Sequence, residues 1–196
     1  MIGIIDYGAG NTASVSYALE KFGVDFIVTN DISKLEEVEK IIFPGVGAAE
    51  AAMAKLVSYN LISLLRTTKK PVLGICLGMQ MYSKHSEEGS IECLGIIEEN
   101  CVKFPANEIK VPHMGWNSVE FREGSPLFEG IPQNSYFYFA HSYYIPENKY
   151  EIASCANGVK FCAALNKDNY YGVQFHPEKS STVGLKVLKN FTEIVN

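Results

Sequence analysis

Three short segments carry residue types able to do covalent chemistry. In the first, the apolar run Val72-Leu73-Gly74-Ile75 leads into Cys76-Leu77-Gly78-Met79-Gln80 and straight on into a helical pattern. This is the strand–turn–helix context of a nucleophile elbow, with Cys in place of Ser. The glycines on either side leave room for a tight turn, which lifts the sulfur above the sheet at a helix N-terminus. Partial positive charge there favours thiolate over thiol, and the thiolate is the nucleophile. The second segment, Gly172-Val173-Gln174-Phe175-His176-Pro177-Glu178, reads as a strand with His176 and Glu178 two positions apart. Positions i and i+2 of an extended chain share a face, so Glu178 can orient the His176 imidazole. Cys76, His176 and Glu178 then offer nucleophile, base and orienting carboxylate, the general triad arrangement. The third segment, Phe43-Pro44-Gly45-Val46-Gly47, closes an apolar strand ahead of an Ala-rich helical stretch. A turn with two glycines can aim backbone N–H groups at an anion, as an oxyanion hole requires. Amides near Gly47 and Leu77 are the candidates. Each segment alone has a plainer reading: a buried core cysteine, an exposed histidine, an ordinary loop. Their combination favours catalysis.

The elements that must position these residues alternate at first. Strands are expected at 2–6, 24–28, 41–43 and 72–75. Helices are expected at 11–22, 32–37, 48–67 with a break near Tyr59-Asn60, and 79–85. In the first helix Val15, Ala18, Leu19 and Phe22 share one face at 3.6 spacing, and Asn11 or Thr12 can cap it. This βαβα rhythm implies an open, largely parallel twisted sheet with helices on both faces, an α/β fold. The catalytic turns then lie at the carboxyl ends of strands, where such sheets place their sites. Beyond Glu88 the texture changes to short β-rich pieces: 93–97, 100–104, 117–121, 135–140, 151–155, 161–166 and 170–175. They imply an antiparallel β extension returning to the main sheet. A last helix at 182–195 closes the chain. No linker or repeat divides residues 1–196, so a single domain is expected.

Composition narrows the class. A net charge of -5 disfavours a general binder of nucleic acid or anionic membranes. No apolar run approaches the 18 residues a transmembrane span needs, and the N-terminus reads as a first strand rather than a signal peptide. The five cysteines are odd in number with no C-x-x-C spacing, which argues against a disulfide framework or a zinc site. A reducing cytoplasm is the simplest expectation. Cys93, Cys101, Cys155 and Cys162 read as structural.

Pro-Gly-Val-Gly at 44–47, Gly-Ile-Cys-Leu-Gly-Met-Gln at 74–80 and Gly-Val-Gln-Phe-His-Pro-Glu-Lys-Ser at 172–180 together resemble a class I (triad) glutamine amidotransferase. Ile4-Ile5-Asp6-Tyr7-Gly8-Ala9-Gly10-Asn11, Pro112-His113-Met114-Gly115-Trp116-Asn117 and Phe139-Ala140-His141-Ser142-Tyr143-Tyr144 are similar to segments of the glutaminase subunits of imidazole glycerol phosphate synthases within that class. The resemblance implies hydrolysis of L-glutamine to glutamate and ammonia, with no metal or organic cofactor. It implies glutamine-binding roles for Gln80, Glu88, Ser142 and Tyr143, with Ser142 standing where the family often has Thr. It also implies a (β/α)8-barrel cyclase partner that channels the ammonia onward, and partner contacts at Asn11, Trp116 and Lys179. Trp116, the one tryptophan, lies in a context that does not read as strand alternation. A paralogous subunit supplying ammonia to surface-sugar amidation is the alternative within the family. Outside it stand a dinucleotide loop at 8–11, a cysteine peptidase and a non-enzymatic binding module. The first lacks the third glycine, because position 13 is Ala, and has no acidic residue at Val28-Thr29. The second is disfavoured by Gln80 after the elbow, and the third by the intact Cys76, His176 and Glu178.

Overall fold

A computed structural model describes residues 1–105 and 110–194. Its first half alternates as expected: β1 (Ile2–Ile5), α1 (Thr12–Lys21), β2 (Phe26–Thr29), α2 (Ile32–Glu37), β3 (Lys40–Gly45), α3 (Ala49–Ser58), α4 (Leu61–Thr67), β4 (Val72–Cys76) and α5 (Leu77–Gln80). The second half is β-rich: β5 (His85–Ser86), β6 (Ile91–Glu92), β7 (Val102–Lys103), β8 (His113–Phe121), β9 (Ser135–His141), β10 (Tyr143–Tyr144), β11 (Glu151–Asn157), β12 (Val159–Lys167) and β13 (Tyr170–Val173), with α6 (Ser181–Glu193) last. The sequence-based end of that helix, Val195, lies outside the described residues.

One nine-stranded sheet runs in the order β2-β1-β3-β4-β13-β12-β11-β8-β9. From β2 to β13 neighbours are parallel. From β13 to β9 they are antiparallel. The expected extension is therefore present, and it returns so that β13 lies against β4. This return brings the His176 segment beside Cys76. β9 is an outer edge of the sheet.

Alternation along the strands feeds two cores. Ile4, Leu73 and Ile75 pack under Val15 and Leu19 of α1 and Val187, Leu188 and Phe191 of α6. Ile5, Ile41 and Val72 face the other way, under Leu35, Ala52, Leu56, Leu61 and Leu65 of α2, α3 and α4. Each such Val, Ile, Leu or Phe side chain removed from water stabilises the fold by about 1.5–3 kcal/mol. Asn11 caps α1, its Oδ1 accepting from Ser14 N at 3.4 Å. Asn60 adopts φ 57° between α3 and α4, the break expected there. No helix among the described residues is long and apolar enough to cross a membrane.

Four expectations need correction. The elbow helix does not reach His85; it stops at Gln80. The carbonyls of Met81, Tyr82 and Ser83 accept from the amides of Leu94, Ile96, Ile97 and Gly95, so they cannot carry the helix on. For the same reason 93–97 is not a strand: its amides are spent on that turn. The strand expected to carry His176 and Glu178 ends at Val173, and these two lie at a 3-10 turn (Pro177–Lys179). Finally, Trp116 does sit in an alternating strand. Met114, Trp116 and Glu120 are exposed while His113 and Val119 on β8 are buried.

Candidate active site

The elbow is built by backbone packed on backbone. In the parallel ladder Gly45 pairs with Cys76, which sets the Val46-Gly47 turn beside the sulfur. A Cβ on Gly78 would lie 1.9 Å from the Phe43 carbonyl oxygen, and one on Gly45 would lie 2.7 Å from Gly78 N. Only glycine fits such an approach. Cys76 itself holds φ 53°, ψ -106°, a region that costs a side-chain-bearing residue about 1–3 kcal/mol. Leu77, next in the chain, is the first residue of α5, whose N–H groups have no helical acceptor.

His176 approaches from the end of β13. Its N–H donates to Tyr138 O of β9 at 2.9 Å. Ser180 Oγ accepts from Tyr138 N at 2.9 Å and donates to His176 O at 2.6 Å. The turn thus anchors the imidazole from both sides. Its Nδ1 meets Glu178 Oε1 at 2.9 Å, with both side chains buried. Burial works against a charged imidazole here. The hydrogen bonds and charges of Cys76 and Glu178 outweigh it and raise His176 from 6.5 to about 10. The reverse holds at the other thiols. Burial pushes Cys93 up to about 11 and Cys155 up to about 12, and raises Cys101 and Cys162 as well. These four are buried and unpaired by disulfides, as expected for structural cysteines.

Cys76, His176, Gly47 and Leu77 line one cavity of about 340 Å³. Gln80, Glu88, Ser142 and Tyr143 line it too, so every residue expected to bind glutamine shares the cavity with Cys76. Glu88 Oε2 accepts from Ala49 N at 2.8 Å, tying the cavity wall to the start of α3. Both N–H groups of Gln80 are committed, to Tyr143 O at 2.8 Å and to Gln174 Oε1 at 2.9 Å, so its carbonyl oxygen is the end left for a ligand. Of the expected partner contacts, Lys179 lines the cavity and lies 6.0 Å over the Tyr138 ring, while Trp116 packs edge-on against the same ring. Asn11 does not line the cavity; it caps α1. Sequence reading missed Gln174, His113 and His141. His113 and His141 are buried ends of β8 and β9 that the strands expected at 117–121 and 135–140 stop short of, and Gln174 is buried just past the end of β13. A larger groove of about 1050 Å³ lies at the opposite ends of β4 and β13, around Lys69, Lys167 and Asn169, and its lining holds neither cysteine nor histidine.

A buried imidazole oriented by a carboxylate and facing a cysteine at an elbow can carry out acyl transfer from an amide. Comparison with known proteins agrees. The family model described as "Glutamine amidotransferase class-I" matches residues 3–195. The chain belongs to this family. Class-I amidotransferase relatives are similar over almost the whole length. The "Imidazole glycerol phosphate synthase subunit HisH" of Haemophilus influenzae is 46% identical over 194 residues, covering 99% of this chain and 98% of that protein. The protein of the same name from Bacteroides fragilis is 45% identical over 195 residues, covering 98% and 99%. The fold is also that of the crystal structure of a putative GMP synthase subunit from Thermoplasma acidophilum. The TM-score is 0.76 at 24% identity, over 98% of this chain and 92% of that one. The chain is thus a glutamine amidotransferase, an enzyme with glutaminase chemistry.

The raised His176 fixes a pH dependence in this amidotransferase. Because the folded state holds the proton more tightly, the stability from this group is complete below the unfolded value of about 6.5. It fades as pH rises through about 10. Glu178→Gln removes one support of the imidazolium. We expect the alkaline limb of the kcat/KM profile to move to lower pH and kcat to fall by about 10²-fold or more. An unmoved limb would remove Glu178 from the triad.

Proposed function

We propose that this amidotransferase is the glutaminase subunit of an imidazole glycerol phosphate synthase, folded as a single domain. The observation that carries the chemistry is the buried His176–Glu178 pair sharing one cavity with Cys76 at its elbow. The names of the relatives at 45–46% identity support the acceptor pathway and disfavour sugar amidation. In this reading the Cys76 thiolate attacks the side-chain amide of L-glutamine. The amides of Gly47 and Leu77 meet the oxyanion, and one such donor is worth roughly 2.7–4 kcal/mol of barrier. His176 gives its proton to the departing ammonia, and water then releases glutamate from the thioester.

Ammonia released into water is protonated and lost to synthesis, so a partner must take it directly. A (β/α)8-barrel cyclase is the partner in this reading. Met114, Trp116 and Tyr136 are large apolar side chains left exposed on β8 and β9. Met114 also lines the catalytic cavity, so this patch and the cavity share a wall. Exposed aromatics beside a cleft favour an interface, and Lys179 adds a charge at its rim. The switch is proposed at Val46-Gly47. Val46 N donates to Ala9 O at 3.4 Å, and Gly47 holds φ +91°. A flip of the Val46–Gly47 peptide, which carries the Gly47 N–H, leaves that bond in place and turns only about Val46 and a glycine, where steric resistance is small.

Glutamate release should be measured for the chain alone and with the barrel cyclase plus its nucleotide substrate. We expect low activity alone and stimulation of at least about 10²-fold by the loaded partner. Glutaminase activity indifferent to that partner would keep the amidotransferase and overturn the histidine-pathway assignment.

A further inference from the structure

A hydrogen-bonded chain of side chains runs from strand β8 to the nucleophile, and its directions are forced. Asn117 Nδ2 donates to Ala156 O at 2.8 Å and also lies 3.3 Å from His113 Nε2. His113 Nδ1 is 3.0 Å from His141 Nε2, and His141 Nδ1 is 2.8 Å from Tyr143 O. A carbonyl oxygen only accepts, so His141 carries its proton on Nδ1 and accepts at Nε2. His113 then carries its proton on Nδ1 and accepts from Asn117. Burial supports this neutral pair, lowering His113 to about 4 and His141 to about 3. The same Tyr143 oxygen accepts from Gln80 Nε2, which fixes the orientation of the Gln80 amide. Its second N–H meets Gln174 Oε1 at 2.9 Å, and that fixes Gln174 in turn. The remaining end of Gln174 is therefore its Nε2, 3.6 Å from Cys76 Sγ.

We propose that Gln174 is a further catalytic residue, whose side-chain N–H donates to the Cys76 sulfur and stabilises the thiolate, with Gln80, His141 and His113 as positioning residues behind it. Gln174 is fully buried. A buried amide is costly unless each end is matched, and the sulfur is the only partner its Nε2 has among the described residues. A donor aimed at sulfur gains strength when the sulfur is charged. Gln174 therefore favours the reactive form, and the network keeps the amide from turning its oxygen to the sulfur instead. The inference rests on Cys76 being the nucleophile.

The test reads the thiol rather than turnover. Alkylation of Cys76 by iodoacetamide is followed against pH, with Cys76→Ala as background. Gln174→Met removes the donor at similar size. We expect alkylation near neutral pH to slow about tenfold, with rates converging at alkaline pH where the thiol is ionised without help. Gln174→Glu keeps an acceptor for Gln80 but turns an oxygen to the sulfur, and should react more slowly still. Steady-state glutaminase should lose kcat with little change in KM. In the unsubstituted chain the side-chain amide proton resonances of Gln174 should move as Cys76 ionises and be displaced in Cys76→Ala. Folded variants that alkylate with the original pH profile would overturn the proposal. So would resonances indifferent to Cys76. Because alkylation and the amide resonances do not use glutamine, failure of the glutaminase reading is told apart from failure of this one.

Discussion

Cys76→Ala is expected to abolish glutamate release, a fall of about 10⁴-fold or more, while leaving the fold intact. The size follows from the kind of role. A nucleophile forms the intermediate, so its removal forfeits the covalent route, whereas loss of a supporting donor only weakens it. No other thiol can substitute, because Cys76 is the one cysteine lining the cavity, and burial raises the other four thiols. Stability supplies a second reading of the same position. Cys76 holds φ 53°, where alanine is strained and glycine is not. Cys76→Gly should therefore be more stable than Cys76→Ala, by about 1 kcal/mol, although glycine is ordinarily the weaker choice in a strand. Thermal unfolding of the two inactive variants compares them directly. Turnover within tenfold of the parent in Cys76→Ala would sink the mechanism. An alanine variant as stable as the glycine one would sink the strain argument.

Gly78→Ala is expected to cost about 3 kcal/mol or more of stability, and activity with it. The added methyl would meet the Phe43 carbonyl at 1.9 Å. Phe43 lies in β3, flanked by β1 and β4 in the middle of the parallel half of the sheet. A carbonyl there cannot yield as a side chain would. The strain would instead push the elbow away from β3, parting Cys76 from the Val46-Gly47 turn. Urea unfolding should show a lower midpoint at unchanged slope. A midpoint near the parent's would mean that β3 and α5 are not in this close register.

The residues proposed to do chemistry were readable as candidates because type and spacing carry them. Gly74, Cys76 and Gly78 announce a turn by composition alone, and Asn60 announces the break between α3 and α4. What failed to read was fixed by contacts far along the chain. The apolar run at 93–97 has the texture of a strand, yet its amides close the turn after α5, and nothing in a local window reports that capture. His176 and Glu178 were paired correctly for the wrong geometric reason. Pro177, which lacks an N–H, starts a tight turn instead of continuing β13, and the turn brings the two together as well as a strand would. Gln174 was passed over because Val173-Gln174-Phe175 scans as ordinary strand. Its meaning rests on Gln80 and Tyr143, which lie far from it in sequence.

The turn that holds His176 also closes an exposed flank. β9 ends the sheet, and the edge of a sheet is a template for pairing with another chain. At Tyr138 both outward backbone groups are taken, the N–H by Ser180 Oγ and the carbonyl by the His176 N–H. His176, the proposed base, is thus delivered by the same few residues that keep the strand from recruiting a neighbour. Loosening 176–180 would inactivate the enzyme and make it prone to self-association in one event, so inactive molecules of this kind would tend to leave solution.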